Sequence, residues 1–253
     1  MASGYFMTSL SNQNLFMIVP CFNEEKRINL DYWNKLAEIP NVNWIFVNDG
    51  SSDGTESLLK EIKNSSVINL DSNSGKAEAI RKGILETFNK NQSEIFQFGY
   101  LDADSAFEIE DVKNVIKLSF SKESTYDSYW GSRVALSGRN IARNNLRHFL
   151  SRILITIFGY RIGHLPYDPQ TGFKVFKFNN EQMAIFDKNF KTKWFVDLEI
   201  LLRFNAVNGK DMKIWEEPVN TWKDIEGSKI RGLEIITVFR DLIKILIIIR
   251  KAG

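Results

Sequence analysis

The feature that most constrains this chain is a pattern met four times between residues 15 and 106: a short apolar run ending abruptly in a polar or acidic loop. LFMIVP (15–20), bounded by Asn14 and broken by Pro20, reads as a buried strand, and CFNEEKRI leads from it into a helix around Tyr32 to Glu38. NWIFVNDG (43–50) is the second strand, closed by Asn48-Asp49-Gly50. Asp-Gly also suits a hairpin, but SSDGTESLLKEI follows with Asp53 and Thr55 as cap candidates and leucines at helical spacing. SVINL, DSNSGK and AEAIRKGILETFNK repeat the strand, the loop and the helix, with Ala79, Ile80, Gly83, Ile84 and Phe88 on one face. FGYLDADSA (98–106) supplies the fourth strand. Parallel neighbours need crossovers, and crossovers are right-handed, so the alternation predicts an α/β fold with a mainly parallel sheet covered by helices.

In open α/β sheets ligands bind beyond the carboxyl ends of the strands, which is where Asp102 and Asp104 fall. An Asp-x-Asp pair there offers hard oxygen ligands to a divalent ion carrying phosphate. Taken alone the pair is weak, because acidic turns after strands commonly satisfy only backbone amides. The glycine fingerprint G-x-G-x-x-G and a GKS/T phosphate loop are both absent, which excludes the dehydrogenase and P-loop patterns. A chain of 253 residues buries roughly 70–75% of its unfolded surface, enough for one large domain. Cys21 is the only cysteine, so no intrachain disulfide forms, which suits a reducing cytosol. The first basic residue is Lys26, so no signal-peptide n-region is expected, and no stretch of about 18 uncharged apolar residues marks a membrane span.

The net charge of +2 excludes little, but its distribution is uneven. SYWGSRV reads as a further strand presenting Ser132 and Arg133 at its end. From there to His164 stand Arg133, Arg139, Arg143, Arg147, Arg152 and Arg161 with no acidic residue. Arg139, Arg143 and Arg147 are four apart and are expected on one helical face. Solvated faces normally interleave both signs, so a phosphate or an anionic membrane surface explains the run better. YDPQTGFKVFKF (167–178) is a turn feeding a strand, in which Gly172 lets backbone approach a ligand. KWFVDLEILLRFNAVNG predicts a helix with Leu198, Leu201, Leu202 and Phe204 inward, ended by Gly209, and DMKIWEEPVNTW an edge strand stopped by Pro218. Asp197 and Glu199 lie near that helix's start, where carboxylates also favour its dipole. GLEIITVFRDLIKILIIIRKAG carries a narrow polar stripe of Glu234, Thr237, Asp241 and Lys244 against a broad apolar remainder; it suits core, a partner surface or an in-plane membrane helix.

Together the pieces resemble the family 2 inverting glycosyltransferases of the GT-A fold. VPCFNEE resembles the family's VPxYNEE, NDGSSDGT its DDGSxDGT, NSGKAEAIRKG its NxGKGxAxRxG, and LDADSA occupies the metal-binding DxD position. GSRV, NNLRHFLSR, DPQTGFKVFK, WFVDLEILL and EEPVNTWKDIEGSKI are similar to segments of the dolichyl-phosphate glucosyltransferases, with related mannosyltransferases sharing some of them. The resemblance implies a single GT-A catalytic domain over residues 1–229, with a nucleotide-binding half (15–106) and an acceptor half (107–229). Residues 230–253 would then be an amphipathic membrane-docking helix, in place of the N-terminal anchor of the eukaryotic enzymes. It further implies that Pro20, Phe22, Asn23 and Glu24 shape the nucleotide pocket, that Asp49 reaches the base, and that Lys76 lies near the donor. Asp102 and Asp104 would bracket ribose, Mg²⁺ or Mn²⁺, and diphosphate, with Asp104 the main metal ligand, while Arg133, Arg143, Arg147 and Ser151 would hold an acceptor phosphate. Three positions depart from the pattern: Asn48 for the first Asp of DDG, Ala77 for a Gly, and Ala106 where mannosyltransferases often carry a metal-binding Gln.

The chemistry follows from the groups. A leaving diphosphate calls for a divalent cation as Lewis acid. A lipid monophosphate, with a second pKa near 6, already carries a nucleophilic oxygen at neutral pH and needs arginines rather than a base. A sugar hydroxyl would need a base, for which Asp168 and Asp197 are the candidates, with Gln170 beside the first. The expected activity is transfer of a hexose, from UDP-glucose with GDP-mannose as alternative donor, to a polyprenyl phosphate, giving a β-linked product on the cytoplasmic face of a membrane. The alternatives are a family 2 transferase acting on a glycan or glycolipid hydroxyl, and a non-catalytic membrane-associated binding protein. No nucleic-acid partner is expected.

Overall fold

The computed structural model describes residues 14–91, 95–121, 125–142, 152, 156, 158–159, 165–223 and 240–247. In chain order the elements are β1 (Asn14–Cys21), α1 (Leu30–Leu36), β2 (Val42–Asn48), α2 (Thr55–Lys60), β3 (Ser65–Asn69), α3 (Lys76–Asn91), β4 (Ile95–Leu101) and α4 (Ile109–Ser119). There follow β5 (Ser128–Ser132), β6 (Asn140–Ala142), β7 (Phe173–Lys177), α5 (Asn180–Met183), α6 (Val196–Asn208), β8 (Ile214–Pro218), β9 (Thr221–Lys223) and a last helical stretch, residues 240–247 (α7).

Seven strands form one sheet in the order β3-β2-β1-β4-β7-β5-β8. All its pairings are parallel except those of β7, which runs antiparallel to both β4 and β5. Period-2 alternation feeds two cores from the same strands. Leu15, Met17 and Val19 of β1 point to the face covered by α1 and α4, with Trp33, Trp44, Phe46 and Val112. Phe16 and Ile18 point to the other, with Ile80 and Ile84 of α3 and Ile200 and Phe204 of α6. Burial on both faces is why these strands read as unbroken apolar runs. A third cluster stacks Ile245 of α7 on Phe195, Leu198 and Leu202, so α6 is buried on two sides.

The strand and helix alternation, the edge position of β8 and the end of α6 at Gly209 (φ 63°) agree with expectation. Residues 140–142 do not. They form β6, which pairs in parallel with β9, and Asn140 N donates to Asn220 O at 2.8 Å. Ile141 packs on the core with Trp222 near it, and this tertiary contact overrides the arginine spacing: Arg139 precedes a strand and lies on no helical face. Arg143 and Arg147 lie outside the described residues.

Candidate active site

The carboxyl ends of β1, β2, β4 and β5 open on one edge of the sheet, and the reversed β7 brings its amino end to the same edge. Phe22, Asn23, Glu24, Asp49, Asp102, Asp104, Arg133, Asp168 and Gln170 lie in the loops that leave or enter these strands, with Pro20 near the end of β1, Lys76 at the start of α3 and Asp197 in the first turn of α6.

On the β1–β2 side the loops are knitted to each other. Asn23, in the left-handed region (φ 52°), donates its amide to Ser51 Oγ and accepts from Ser52 N through Oδ1 at 2.9 Å. Glu24 N donates to Thr55 Oγ1 at 2.7 Å, and the buried Glu24 carboxylate holds Arg27 through both guanidinium arms. Phe22, just before them, stays exposed. Asp49 is buried and accepts from Ser74 N, Ser74 Oγ and Gly75 N at 2.7–2.8 Å. Its carboxylate thus fixes the loop that starts α3. The neighbouring Gly50 (φ 68°) lies so close to Ser72 and Asn73 backbone that a Cβ would sit 2.6 Å from Asn73 N. The departure at Asn48 has a local cause: its Nδ2 donates to Asn69 Oδ1 at 2.9 Å, and Asn69 in turn donates to Glu56.

At the centre, Lys76 at the start of α3 places Nζ 2.5 Å from Asp102 Oδ1. This is a charge contact rather than a well-angled hydrogen bond. Burial works against the Lys76 ammonium, but the charges of Asp102, Asp197 and Asp104 outweigh it and hold its pKa above the ordinary lysine value. Asp104 accepts from Ala106 N at 3.2 Å, so Ala106 contributes its amide and no side chain. Burial and the charge of Asp102 push the Asp104 carboxyl up, against Lys76 and Arg27. Gly172 closes this pair from β7's side. Its carbonyl accepts Asp102 N at 2.9 Å, and a Cβ on it would collide with the Asp102 carboxylate.

On the β5 side, Arg133 forms a two-armed pair with Asp168, Nε to Oδ2 at 2.7 Å and Nη2 to Oδ1 at 2.8 Å, and its amide also donates to Oδ2. Nη2 reaches Gln170 O at 3.0 Å, and the guanidinium lies 4.9 Å over Trp222. Glu216 of β8 fixes the turn from below, accepting from Tyr167 N, Asp168 N and Ser132 Oγ. Asp197, in the first turn of α6, is engaged through Oδ1 by Lys174 Nζ and by Tyr100 OH, both at 2.6 Å. Arg152 donates to Tyr167 O, 4.3 Å over that ring. Ser151, with Arg143 and Arg147, lies outside the described residues.

The residues not singled out by sequence were Arg27, Tyr100, Lys174 and Glu216. Glu216 and Lys174 carried no signal, since alternation in a strand does not say what the next strand will be. Arg27 carried one, at three residues from Glu24.

A mainly parallel sheet covered on both faces, with Asp-x-Asp at its carboxyl edge and a reversed strand between the two halves, defines a GT-A glycosyltransferase. Residues 16–188 match Glycosyl transferase family 2, and the chain belongs to that family. It is 34% identical over 248 residues to "Dolichyl-phosphate beta-glucosyltransferase ALG5A" of Trichomonas vaginalis, covering 92% of this chain and 73% of that protein. It is 30% identical over 241 residues to the human dolichyl-phosphate beta-glucosyltransferase, covering 86% and 70%. In fold it is similar to glucosyl-3-phosphoglycerate synthase of Mycobacterium tuberculosis, solved with Mn²⁺, uridine diphosphate and phosphoglyceric acid. That likeness has a TM-score of 0.67 at 17% identity, over 96% of this chain and 80% of that one.

Proposed function

We propose that this glycosyltransferase moves glucose from UDP-glucose to a polyprenyl phosphate, with inversion, giving a β-linked lipid-phosphate sugar. The relatives named above carry that acceptor class and that sugar in their names. The observation that carries the choice of acceptor is the state of the two candidate bases. Asp168 is held by both arms of Arg133, and Asp197 by Lys174 and Tyr100. Each carboxylate is already engaged by a cation and is not free to take a proton from an acceptor hydroxyl, which suits a phosphate acceptor that needs no base. Arg133, its guanidinium held in place by Asp168, is then the acceptor-phosphate residue on the described side of the cleft. Arg143, Arg147 and Ser151 complete that role from the neighbouring segment.

The residues fit a divalent cation, Mg²⁺ or Mn²⁺. Asp102 and Asp104 are hard ligands, Asp102 is already neutralised by Lys76, and the Asp104 carboxyl is raised by burial and by Asp102. Among the described residues no set of three or more His, Cys, Asp or Glu could hold a metal. An ion bound here uses one or two carboxylates and takes its other ligands from substrate phosphates and water. When bound, it neutralises charge on the leaving diphosphate. Pro20, Phe22, Asn23 and Glu24 border the nucleotide, Asp49 orders the loop that carries Lys76, and Lys76 lies beside the diphosphate.

Among the described residues no helix is long and apolar enough to cross a membrane. α7 packs Ile245 on the domain and turns Ile243, Leu246 and Ile247 outward, 44–50% exposed, beside the exposed Arg240. We assign this face to the surface of the membrane that carries the acceptor.

The test is incubation of the purified chain with radiolabelled UDP-glucose, Mg²⁺ and polyprenyl phosphate. A labelled organic-phase product is expected, and Arg133→Lys raises KM for the lipid phosphate about tenfold or more with the donor KM unchanged. Absence of lipid product with every common nucleotide sugar, or an Arg133→Lys enzyme with an unaltered acceptor KM, overturns the lipid-phosphate assignment.

A further inference from the structure

Lys174 is fully buried in the middle of the sheet. Its neighbours across the ladder are Tyr100 on β4 and Trp130 on β5. Their rings enclose the ammonium, with centroids at 5.3 Å and 4.3 Å. Nζ donates to Thr171 O and to Asp197 Oδ1, each at 2.6 Å, and Tyr100 OH donates to the same Oδ1 at 2.6 Å. Burial pushes the Lys174 pKa down, and Asp197 opposes it. A cation this deep is costly unless paired in good geometry, and here the geometry fixes one carboxylate oxygen from two directions.

The other oxygen is left for a different partner. Among the described residues Asp197 Oδ2 accepts no hydrogen bond, and the Asp197 side chain keeps 12% exposure while that of Lys174 has none. The carboxylate stands just behind the donor end of the site. Lys174 is two residues after Gly172, which cradles Asp102, and Tyr100 is two residues before Asp102. The Asp102 N to Gly172 O bond continues the β4–β7 pairing one step beyond both strands, so alternation puts Tyr100, Lys174, Gly172 and Asp102 on one wall. The Asp197 charge acts on both Lys76 and Arg133, the cations at the two ends of the cleft. Between a diphosphate at one end and a phosphate at the other lies the space of the transferred sugar.

We propose that Asp197, clamped through Oδ1 by Lys174 and Tyr100, is the hydroxyl receptor for the donor sugar, its Oδ2 accepting a hydrogen bond from one ring or exocyclic hydroxyl and so selecting which hexose is bound. Lys174 and Tyr100 are positioning residues that act through it. A carboxylate oxygen held rigidly discriminates strongly against a sugar lacking the matching hydroxyl, because that oxygen is then left without its partner in the cleft. The inference rests on the nucleotide-sugar donor of the proposed function and is independent of the acceptor.

The experiment is calorimetric titration of the full chain with Mn²⁺ and no acceptor, using UDP, UDP-glucose and the four UDP-glucose analogues deoxygenated at C2, C3, C4 or C6. The wild-type chain is expected to bind one analogue about 10- to 100-fold more weakly than UDP-glucose. Asp197→Asn is expected to bind UDP-glucose about tenfold or more weakly, to bind UDP as the wild type does, and to lose most of the penalty at that one position. Tyr100→Phe keeps both charges and the ring, and covers the case in which Asp197→Asn does not fold. It is expected to weaken UDP-glucose several-fold and to narrow the same penalty. An Asp197→Asn or Tyr100→Phe chain with the full wild-type penalty, or with UDP and UDP-glucose weakened in parallel, overturns the inference alone. A wild-type chain that binds UDP but no nucleotide sugar overturns the proposed donor and this inference with it.

Discussion

Gly172 is the residue at which the two halves of the cleft touch. Its carbonyl takes the Asp102 amide, its α-carbon lies against the Asp102 carboxylate, and the residue before it gives its carbonyl to Lys174. Gly172→Ala places a methyl where that carboxylate stands, so Asp102 must turn away from Lys76 or β7 must shift from β4. A misplacement of this size costs about 100-fold in turnover, whereas overpacking at one position costs only about 1–3 kcal/mol of stability. The expected variant therefore melts as a folded protein but binds UDP–Mn²⁺ weakly in calorimetry and turns over poorly. At this scale the motif residues were legible and their engagements were not. Asp168 and Asp197 read as spare carboxylates because nothing in the spacing shows a guanidinium or an ammonium closing on them. Lys174, in FKVFK, carried no sign of burial. Only the insertion of β7 between β4 and β5, a long-range fact, buries it. Asn48 reads as a departure from the pattern, yet its amide donates to Asn69 Oδ1, a partner that no spacing shows.

Among the elements, α7 inverts what its pattern suggests. A polar stripe on an amphipathic helix is expected to face water, but Asp241 is buried and accepts from Lys193 N at 2.6 Å and Trp194 N at 3.0 Å, while Ile243, Leu246 and Ile247 face out. Asp241 binds the amides of the chain entering α6, and Lys244 pairs with it at 2.9 Å. Burial opposes the charged form, but Lys244 and the two amides outweigh it and hold the carboxyl below its usual value. A depressed folded pKa contributes stability that is complete above about pH 4, the unfolded value, and is lost as the pH falls through the folded one. Asp241→Asn is therefore expected to lower stability at pH 7 by about 1–3 kcal/mol. The gap to the wild type should close as urea-unfolding midpoints are followed below pH 4. The outward apolar face makes a separate prediction. Replacing Ile243, Leu246 and Ile247 together by Ser should release the chain from sedimenting anionic vesicles without changing turnover on detergent-solubilised acceptor. Vesicle binding that survives the triple substitution places the membrane contact elsewhere. The pattern could not show which face was inward, because the partners of Asp241 are backbone amides some 47 residues away.

At the scale of the whole molecule, the nucleotide-binding and acceptor halves expected from the motifs share one sheet and one core. β4, the last strand of the first half, is covered on its far side by β7 of the second, with five registered pairs from Gln97↔Lys177 to Leu101↔Phe173. The face that carries Phe98 and Tyr100 is completed by Phe176, Phe186 and Ile200, all from the second half. The four-fold repeat made the parallel part of the sheet legible, since crossover rules leave few alternatives. It gave no hint of β7's reversal, because an antiparallel insertion is a choice made by chain segments that pair long after the repeat has ended. A chain cut after Ala106 would expose the whole edge of β4 and half of one core, an unpaired apolar edge of the kind that aggregates. The fragment 1–106 is thus expected to show no cooperative unfolding transition and to associate, whereas the full chain should lose its far-ultraviolet and tryptophan signals together in urea. Two separated transitions in the full chain, or a monomeric fragment with a sigmoidal melt, would show that the donor half is a domain in its own right and that Gly172 joins two bodies instead of closing one.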